Sequence, residues 1–346
     1  MTTDSMKTLV FGGAGFIGTN ICLSALDRGG RVVVFDDLSR SGVKANLGRI
    51  VESGGERVET VIGDVRDRKA VADVLGCNPG VDTVFHMAGQ VAVTTSLLDP
   101  RADFEANLAG TINILETIRT GGIDPAFVFA STNKVYGDLR GVAVEEGERR
   151  FNFKDFPKGI DESFPLSFST PYGCSKGAAD QYVLDYAKHF GLRSVVMRQS
   201  CIYGPNQFGA VDQGWIAWFT IAAMLGKPIT IYGNGKQVRD ALYVDDLIDA
   251  YWAAIGRIDA VKGEAFNLGG GKYNVSLLEL LALLEELLSR KIEIDFAPER
   301  AGDQKVFVCD TQKAARELDW TPSTDLRKGL KNLIEWVDGN RDVLSA

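Results

Sequence analysis

The sequence predicts an α/β protein built on a doubly wound parallel sheet, with a smaller mixed α/β lobe attached. Three observations carry this. Short β-branched runs alternate with helix-length amphipathic segments over about the first 200 residues. The first junction between such a run and a helix is rich in glycine. Beyond it, the chain loosens into YGPNQFGAVDQGW, IYGNGKQVRD, FNLGGG and PERAGDQ, loops rich in Gly, Asn, Gln and Arg.

The elements follow in order. TLVFGG leads into ICLSALDRG, RVVVFDD follows, RVETVIGD leads into AVADVLG, and DTVFHMAG leads into FEANLAGTINILETIR before AFVFAST and SVVMRQS. Several of these runs end in Gly, Asp or Ala, where a strand hands over to a loop. In such sheets the ligand lies beyond the carboxyl ends of the strands. Residues 1–200, with a return segment at 236–268, are expected to form the dinucleotide-binding domain. Residues 201–235 and 269–346 are expected to form the substrate lobe. The stretch 139–170 is long for a structureless loop, which points to service at the active site. WIAWFTIAAML, from Trp215, is too short to cross a bilayer and reads as a helix buried against the core.

Composition narrows the function. Over 346 residues the formal net charge is -8, which argues against a phosphate-backbone surface and so against nucleic acid as a partner. MTTDSMKTLVFGG shows no basic and apolar export segment, so a cytoplasmic protein with no membrane partner is expected. Cys22, Cys77, Cys174, Cys201 and Cys309 form no Cys-x-x-Cys pair and read as reduced thiols. The two histidines, His86 and His189, lie far apart without metal-ligand spacing. No metal site and no Ser-His-Asp triad is expected.

FGGAGFIGTN holds Gly12-x-x-Gly15-x-x-Gly18 and the overlapping Gly13-x-Gly15-x-x-Gly18 between the first strand and its helix. Glycines there permit a tight turn and let backbone amides approach a pyrophosphate at the helix amino end. An isolated match is a weak signal. Its position, with Asp36 closing RVVVFDD where a ribose-binding acid belongs, makes it a Rossmann-type dinucleotide site. A carboxylate at Asp36, with Asp37 beside it, would repel a 2'-phosphate and favours NAD, although Arg40 could meet such a phosphate. Asp64 in VIGDV contacts adenine, caps the helix DRKAVADVL, or does both.

Tyr172 and Lys176, four residues apart in PYGCSKGAAD, fall on one face of a helix. A tyrosine with an ordinary pKa near 10 is a poor base, but a neighbouring ammonium and a positively charged nicotinamide would stabilise its phenolate. Lys176 can also hold the nicotinamide ribose. A single Tyr-x-x-x-Lys is usually a surface pair; this one comes after a fifth strand whose end supplies Thr132. Thr132 would orient a substrate hydroxyl toward Tyr172.

With these strings in place, the chain resembles the extended short-chain dehydrogenase/reductase family acting on nucleotide sugars, the NAD-dependent epimerases and dehydratases. GGAGFIG, FDDLSR, GDVRD, HMAGQVAV, ANLAGT, STNKVYGD, PYGCSKGAAD, RDALYVDDL, FNLGG and RAGDQ occur in family order over essentially the whole chain. The resemblance implies a catalytic set of Thr132, Tyr172 and Lys176. It implies NAD contacts from Gly12, Gly15, Phe16, Ile17, Asp36, Asp64, Val65, Ala88, Gln90 and Asn107, and Asp37, Ser39 and Arg40 in FDDLSR join that expected cofactor set. It places nucleotide-sugar contacts on Arg239 and Arg300, whose bland alternative is a surface salt bridge. Many relatives carry Asn where Cys201 stands in RQSCIYGP, so that contact is not carried over.

The family's dehydratases read Asp-Glu where Asn133 and Lys134 stand here. Elimination of water needs a carboxylic acid and a base; Asn133 cannot supply the first and Lys134 is ordinarily a cation. HMAGQVAVTTS, STNKVYGDL, the insertion after it and QFGAVDQGWIAWF are similar to the branch that epimerises CDP-linked 3,6-dideoxyhexoses at C2. The resemblance therefore implies a CDP-linked substrate oxidised to a 2-ketone and re-reduced on its other face, and a homo-oligomer, a tetramer, built through helices near 99–119 and 171–190. Spacing alone leaves open a UDP-sugar 4-epimerase, a net reductase and a non-catalytic NAD-binding protein.

Overall fold

The computed structural model describes residues 6–211, 213–299 and 304–345. Its centre is a seven-stranded sheet. Five strands come first in the chain: β1 (Lys7–Phe11), β2 (Arg31–Asp36), β3 (Val58–Ile62), β4 (Thr83–His86) and β5 (Ala126–Thr132). The sheet runs in space β3, β2, β1, β4, β5, then Ser194–Gln199 and Ala265–Leu268. Every neighbouring pair is parallel. The strand order reverses between β1 and β4, so their carboxyl ends open the crevice where such sheets take a ligand.

Alternation along each strand explains why the sheet is covered on both faces. Val10, Val32, Val34, Phe85 and Val128 face one core, with α1 (Phe16–Asp27), α2 (Val43–Gly54) and the helix Val244–Gly256. Leu9, Phe11, Val33, Phe35, Phe127 and Phe129 face the other, with α3 (Arg68–Cys77) and the helices Gly110–Gly121 and Thr170–Phe190. Each fully buried Val, Leu or Phe contributes about 1.5–3 kcal/mol. A third core joins the helices Trp215–Leu225, Leu277–Leu288 and Leu326–Asp338. The run WIAWFTIAAML is accordingly a helix packed against the protein itself. Among the described residues, no helix is long and apolar enough to cross a membrane.

Two expectations are corrected. The stretch 139–170 is not structureless: Val144–Glu146 pairs antiparallel with Phe151–Phe153, and Ile160 bridges to Cys309. Its apolar side chains find partners, Phe151 against Val238 and Val306, Leu139 and Ile160 against Tyr136 and Phe307. The cap of α3 is Asp67, whose carboxylate accepts the amides of Lys69 and Ala70. Asp64 lies outside that cap, because the chain makes one more turn, Asp67 N–H to Asp64 C=O at 3.0 Å, before the helix begins.

Candidate active site

The chain leaves β1 through Gly12, whose φ of +76° is the left-handed conformation that glycine tolerates. A Cβ on Gly12 would lie 2.5 Å from the Ala88 nitrogen, and one on Gly18 would lie 2.2 Å from the Gly12 carbonyl oxygen. These glycines therefore press the ends of β1 and β4 together and seat α1 on the turn. Over them opens a cavity of about 360 Å³ whose lining includes Gly12, Gly15, Asp36, Asp37, Ser39, Arg40, Asp64, Val65, Ala88 and Gln90. Phe16 and Ile17 are not in that lining. They open α1 and pack their partly buried side chains on the core.

Asp36 is held rigidly, accepting the Ala14 amide at 3.0 Å and the Leu38 amide at 2.9 Å. Burial raises its pKa, against those amides. Ser39 donates to Asp37 at 2.7 Å, and Arg40 donates to Gln213. Asp64 takes the Arg66 guanidinium, which with the Arg66 amide holds its carboxyl below the ordinary range. The Gln90 amide bridges to the Ala92 carbonyl at 2.7 Å. Asn107 sits in a single π-helical turn, Glu105–Ala109, a distortion often found at functional sites. Its Oδ1 is buried without a protein partner. The glycine cradle, the fixed acid at the end of β2 and this unsatisfied amide oxygen together fit a dinucleotide.

Thr132 ends β5, and its hydroxyl accepts the Lys134 amide at 3.2 Å, capping the short turn Asn133–Tyr136. Tyr172 and Lys176 lie on the helix Thr170–Phe190, both buried. The chain enters that helix through Thr170 at φ +67°, a conformation that costs a residue with a Cβ about 1–2 kcal/mol. Tyr172 is hydrogen-bonded to Thr132, yet burial pushes its phenol up. Lys176 points its ammonium over the Phe129 ring, 4.1 Å from the centroid. Burial lowers its pKa from 10.5 to about 7, against the pull of Asp180 and Asp103. The phenolate stabilisation expected from Lys176 is thus not built into the protein alone; the cation that lowers Tyr172 here is Arg40.

Sequence reasoning missed the polar layer beneath this pair. Asp103 is fully buried, accepts the Asn107 amide at 3.2 Å and takes the Ser175 hydroxyl. Its spacing of four from Asn107 was the available signal. Asp180 pairs with Arg198 at 2.9 Å and accepts Ser131 at 2.6 Å. His86 is fully buried and meets Thr111 at 2.9 Å. Burial and the Lys176 charge hold it well below its ordinary pKa, so it is a neutral core residue.

Of the two arginines expected to meet a nucleotide sugar, Arg239 is buried and donates to the carbonyls of Gln304 at 2.6 Å and Val238 at 3.0 Å. Gln304 also reaches the turn after Thr132: its Oε1 accepts from Lys134 Nζ at 3.4 Å and Asn133 Nδ2 at 3.5 Å. Cys201 feels both Arg239 and Lys134, but burial still pushes its thiol up. Gln304 was missed although RAGDQ drew notice, because nothing in that string ties it to a turn so distant in sequence. Arg300 lies outside the described residues.

The profile of the NAD dependent epimerase/dehydratase family matches residues 8–269. The chain belongs to that family. It is 44% identical over 338 residues to CDP-paratose 2-epimerase of Salmonella typhi, covering 96% of this chain and 99% of that one. It superposes with a TM-score of 0.84 on UDP-glucose 4-epimerase of Thermotoga maritima, solved with UDP-glucose, at 29% identity and 97% and 100% coverage. UDP-glucuronic acid 4-epimerase of Bacillus cereus, solved with UDP-glucuronic acid and NAD, gives 0.82 at 26% identity, with 96% and 99% coverage. The chain is therefore an enzyme of the epimerase type, and NAD is its cofactor.

Proposed function

We propose that this enzyme epimerises a CDP-linked 3,6-dideoxyhexose at C2, converting CDP-paratose to CDP-tyvelose. The observation that carries the reading is the 44% identity, end to end, with CDP-paratose 2-epimerase. The turn after Thr132 supports it from chemistry, since Asn133 and Lys134 offer no acid and base for elimination. The rival, 4-epimerisation of a UDP-sugar, rests on the weaker likeness to the 4-epimerase structures at 29% and 26% identity.

When bound, NAD would supply reversible hydride transfer at C2. Thr132 orients the C2 hydroxyl toward Tyr172. Tyr172 takes that proton as the C2–H bond breaks, and returns it to the oxygen of the 2-ketone once the sugar has turned its other face. Because burial holds the phenol up, proton removal needs positive charge nearby, and Lys176 and Arg40 are the chain's own cations there. Asp36 and Asp64 accept the adenosine hydroxyls and adenine, and Gly12 and Gly15 leave room for the pyrophosphate. Arg239 and Arg300 bind the nucleotide sugar in a lobe built from 201–235 and 269–346. Exposed Leu97, Leu98, Phe104, Tyr182 and Phe190 support a homo-oligomer assembled through the helices that carry them.

Proton NMR with CDP-paratose in heavy water, without added cofactor, tests the reading. Conversion to the tyvelo coupling pattern with the C2 hydrogen retained is expected. Deuterium entering C2 would sink the hydride mechanism, and no conversion would reject the substrate. Tyr172→Phe should lower turnover by about 10²–10⁴-fold while leaving bound NAD in place.

A further inference from the structure

The chain passes repeatedly between the sheet and the third core. It departs from the strand Ser194–Gln199 for the helix Trp215–Leu225, and returns from Ile229–Tyr232 to the helix Val244–Gly256. It departs again from Ala265–Leu268 for Leu277–Leu288, and returns through Val306–Phe307 to the helix Gln312–Leu318, whose Ala314 and Leu318 lie in the sheet's core. Asp240 touches each of these passages. It stands on the first return, between Arg239 and the strand Ala241–Tyr243, which turns Leu242 to the sheet's core and Ala241 and Tyr243 to the third core. Its backbone carbonyl accepts the Cys201 amide, on the first departure, at 3.2 Å. Its Oδ1 accepts the Gly271 amide, on the second departure, at 2.7 Å. Its Oδ2 accepts the amide of Cys309, on the second return, at 2.9 Å and the Cys309 thiol at 3.0 Å.

The packing around this carboxylate is close. A Cβ on Gly269 would lie 2.0 Å from Asp240 Oδ2, and one on Gly270 would lie 1.9 Å from the Ala241 carbonyl oxygen. FNLGGG is therefore bare of side chains where it crosses Asp240. Asp240 is fully buried. Burial raises its carboxyl to about 6, against the hydrogen bonds from Cys309 and Gly271, so at neutral pH it is mainly ionised, an acceptor with no proton to give. Donors from both later passages meet its two oxygens, so an asparagine would set its NH2 against an N–H. Strand register carries the junction to the reacting groups. Thr132 pairs with Gln199, two residues before Cys201, and Arg239 pairs with Val275 and Phe307. Asp240, next to Arg239 and bonded to Cys201, thus joins the strands around Arg239 to the strand beside Thr132.

We propose that Asp240 is a positioning residue: by tying these passages together it fixes the tilt of the third core against the sheet, and so sets where the reacting carbon of a nucleotide sugar lies relative to Thr132 and Tyr172. This rests on the epimerase reading given above, in which Arg239 helps to hold the nucleotide sugar. Asp240 touches neither substrate nor cofactor in that reading; it acts through Cys201, Arg239 and their strands.

The NAD-loaded enzyme and Asp240→Asn are compared by NAD content, by calorimetric titration with CDP and UDP, and by initial rates well below the melting temperature. Asp240→Asn should lower kcat by about 10- to 100-fold, the scale of a misplacement of about 1 Å, with nucleotide affinity and NAD content within about twofold of the parent's. A variant that melts earlier yet keeps the parent's kcat would overturn the proposal and leave Asp240 a purely structural group. Weakened nucleotide binding with kcat unchanged would overturn it too, as damage to the nucleotide site. Should Asp240→Asn fail to fold, Cys309 decides: Cys309→Ala, which removes the thiol donor and leaves both amides, should lower kcat by about 2- to 10-fold, the worth of one hydrogen bond, and Cys309→Ser should restore it. A parental kcat in Cys309→Ala would then overturn the proposal. Rates are read on CDP-paratose and on UDP-glucose, so a parent that turns over only the second rejects the C2 reading, while the same fall in kcat there still upholds Asp240.

Discussion

Ser175 donates its hydroxyl to the buried carboxylate of Asp103, and through that bond the helix bearing Tyr172 and Lys176 is tied to the turn bearing Asn107. Asp103 is also one of the two negative charges that keep the buried Lys176 protonated. Asp103→Asn preserves size but removes the charge. The alkaline loss of activity should then begin at lower pH, because Lys176 gives up its proton earlier. Stability should fall by about 1–3 kcal/mol from the rearranged buried hydrogen bonds. A pH profile of kcat identical to the parent's would show that Asp103 acts on packing alone.

Lys176 itself links the site to stability. Burial lowers its pKa from 10.5 to about 7, so the folded protein sheds this proton before the unfolded chain does. Above about pH 7 the unfolded state binds more protons, and stability rises with pH until both states are neutral near the ordinary lysine value. Below that window the full cost of burying the charge is present. Lys176→Met should abolish epimerisation, leave the melting temperature at neutral pH no lower, and flatten the rise in stability between about pH 7 and pH 9. Urea unfolding at the two pH values measures it, and a slope equal to the parent's would refute the assignment.

The parallel sheet could be read in the sequence because each strand writes its burial locally: Leu9 and Phe11 turn to one core and Val10 to the other. The Tyr172 and Lys176 pair was equally visible, since four residues on a helix fix their relation without tertiary information. Asp64 and Asp67 show where local reading fails. Both precede a helix and both suit a cap, and only the extra turn at Asp64 decides between them. Gln304 shows the larger limit. It meets Asn133 and Lys134 because Val306–Phe307 pairs with the strand ending in Arg239, and no periodicity in either segment encodes that pairing. The hairpin within 139–170 was hidden for the same reason, its apolar partners Val238 and Val306 lying far along the chain.

Gly12 tests the cofactor turn. Any Cβ there meets the Ala88 backbone nitrogen at 2.5 Å, and φ is +76°. Main-chain atoms cannot swing aside as a side chain can, so Gly12→Ala should separate β1 from β4 at their ends. Beyond about 1–2 kcal/mol for the left-handed backbone, the variant should be purified with little NAD. Gly48→Ala, in α2 with nothing within 4 Å of the new methyl, should instead stabilise by about 0.5–1 kcal/mol. Release of NAD on denaturation and thermal melts read both. Full NAD content in Gly12→Ala would contradict the cradle.

Asp180 and Arg198 form a two-pronged ion pair, 2.9 Å and 3.0 Å, with side chains 0% and 5% exposed. Ser131, one residue before Thr132, donates to the same carboxylate at 2.6 Å, and Arg198 also reaches the Tyr136 hydroxyl at 3.2 Å. The pair therefore joins the end of β5 to the middle of the Tyr172 helix and fixes the distance between Thr132 and Tyr172. Asp180→Asn leaves the guanidinium buried without its counter-charge, which should cost about 3–5 kcal/mol. Ser131→Ala removes one hydrogen bond and should cost about 1 kcal/mol. Denaturant unfolding separates the two variants. If the pair positions the site as well as holding the fold, residual folded Asp180→Asn should lose kcat while its KM stays near the parent's. Equal unfolding midpoints for Asp180→Asn and the parent would remove the pair from the account of how the site is held.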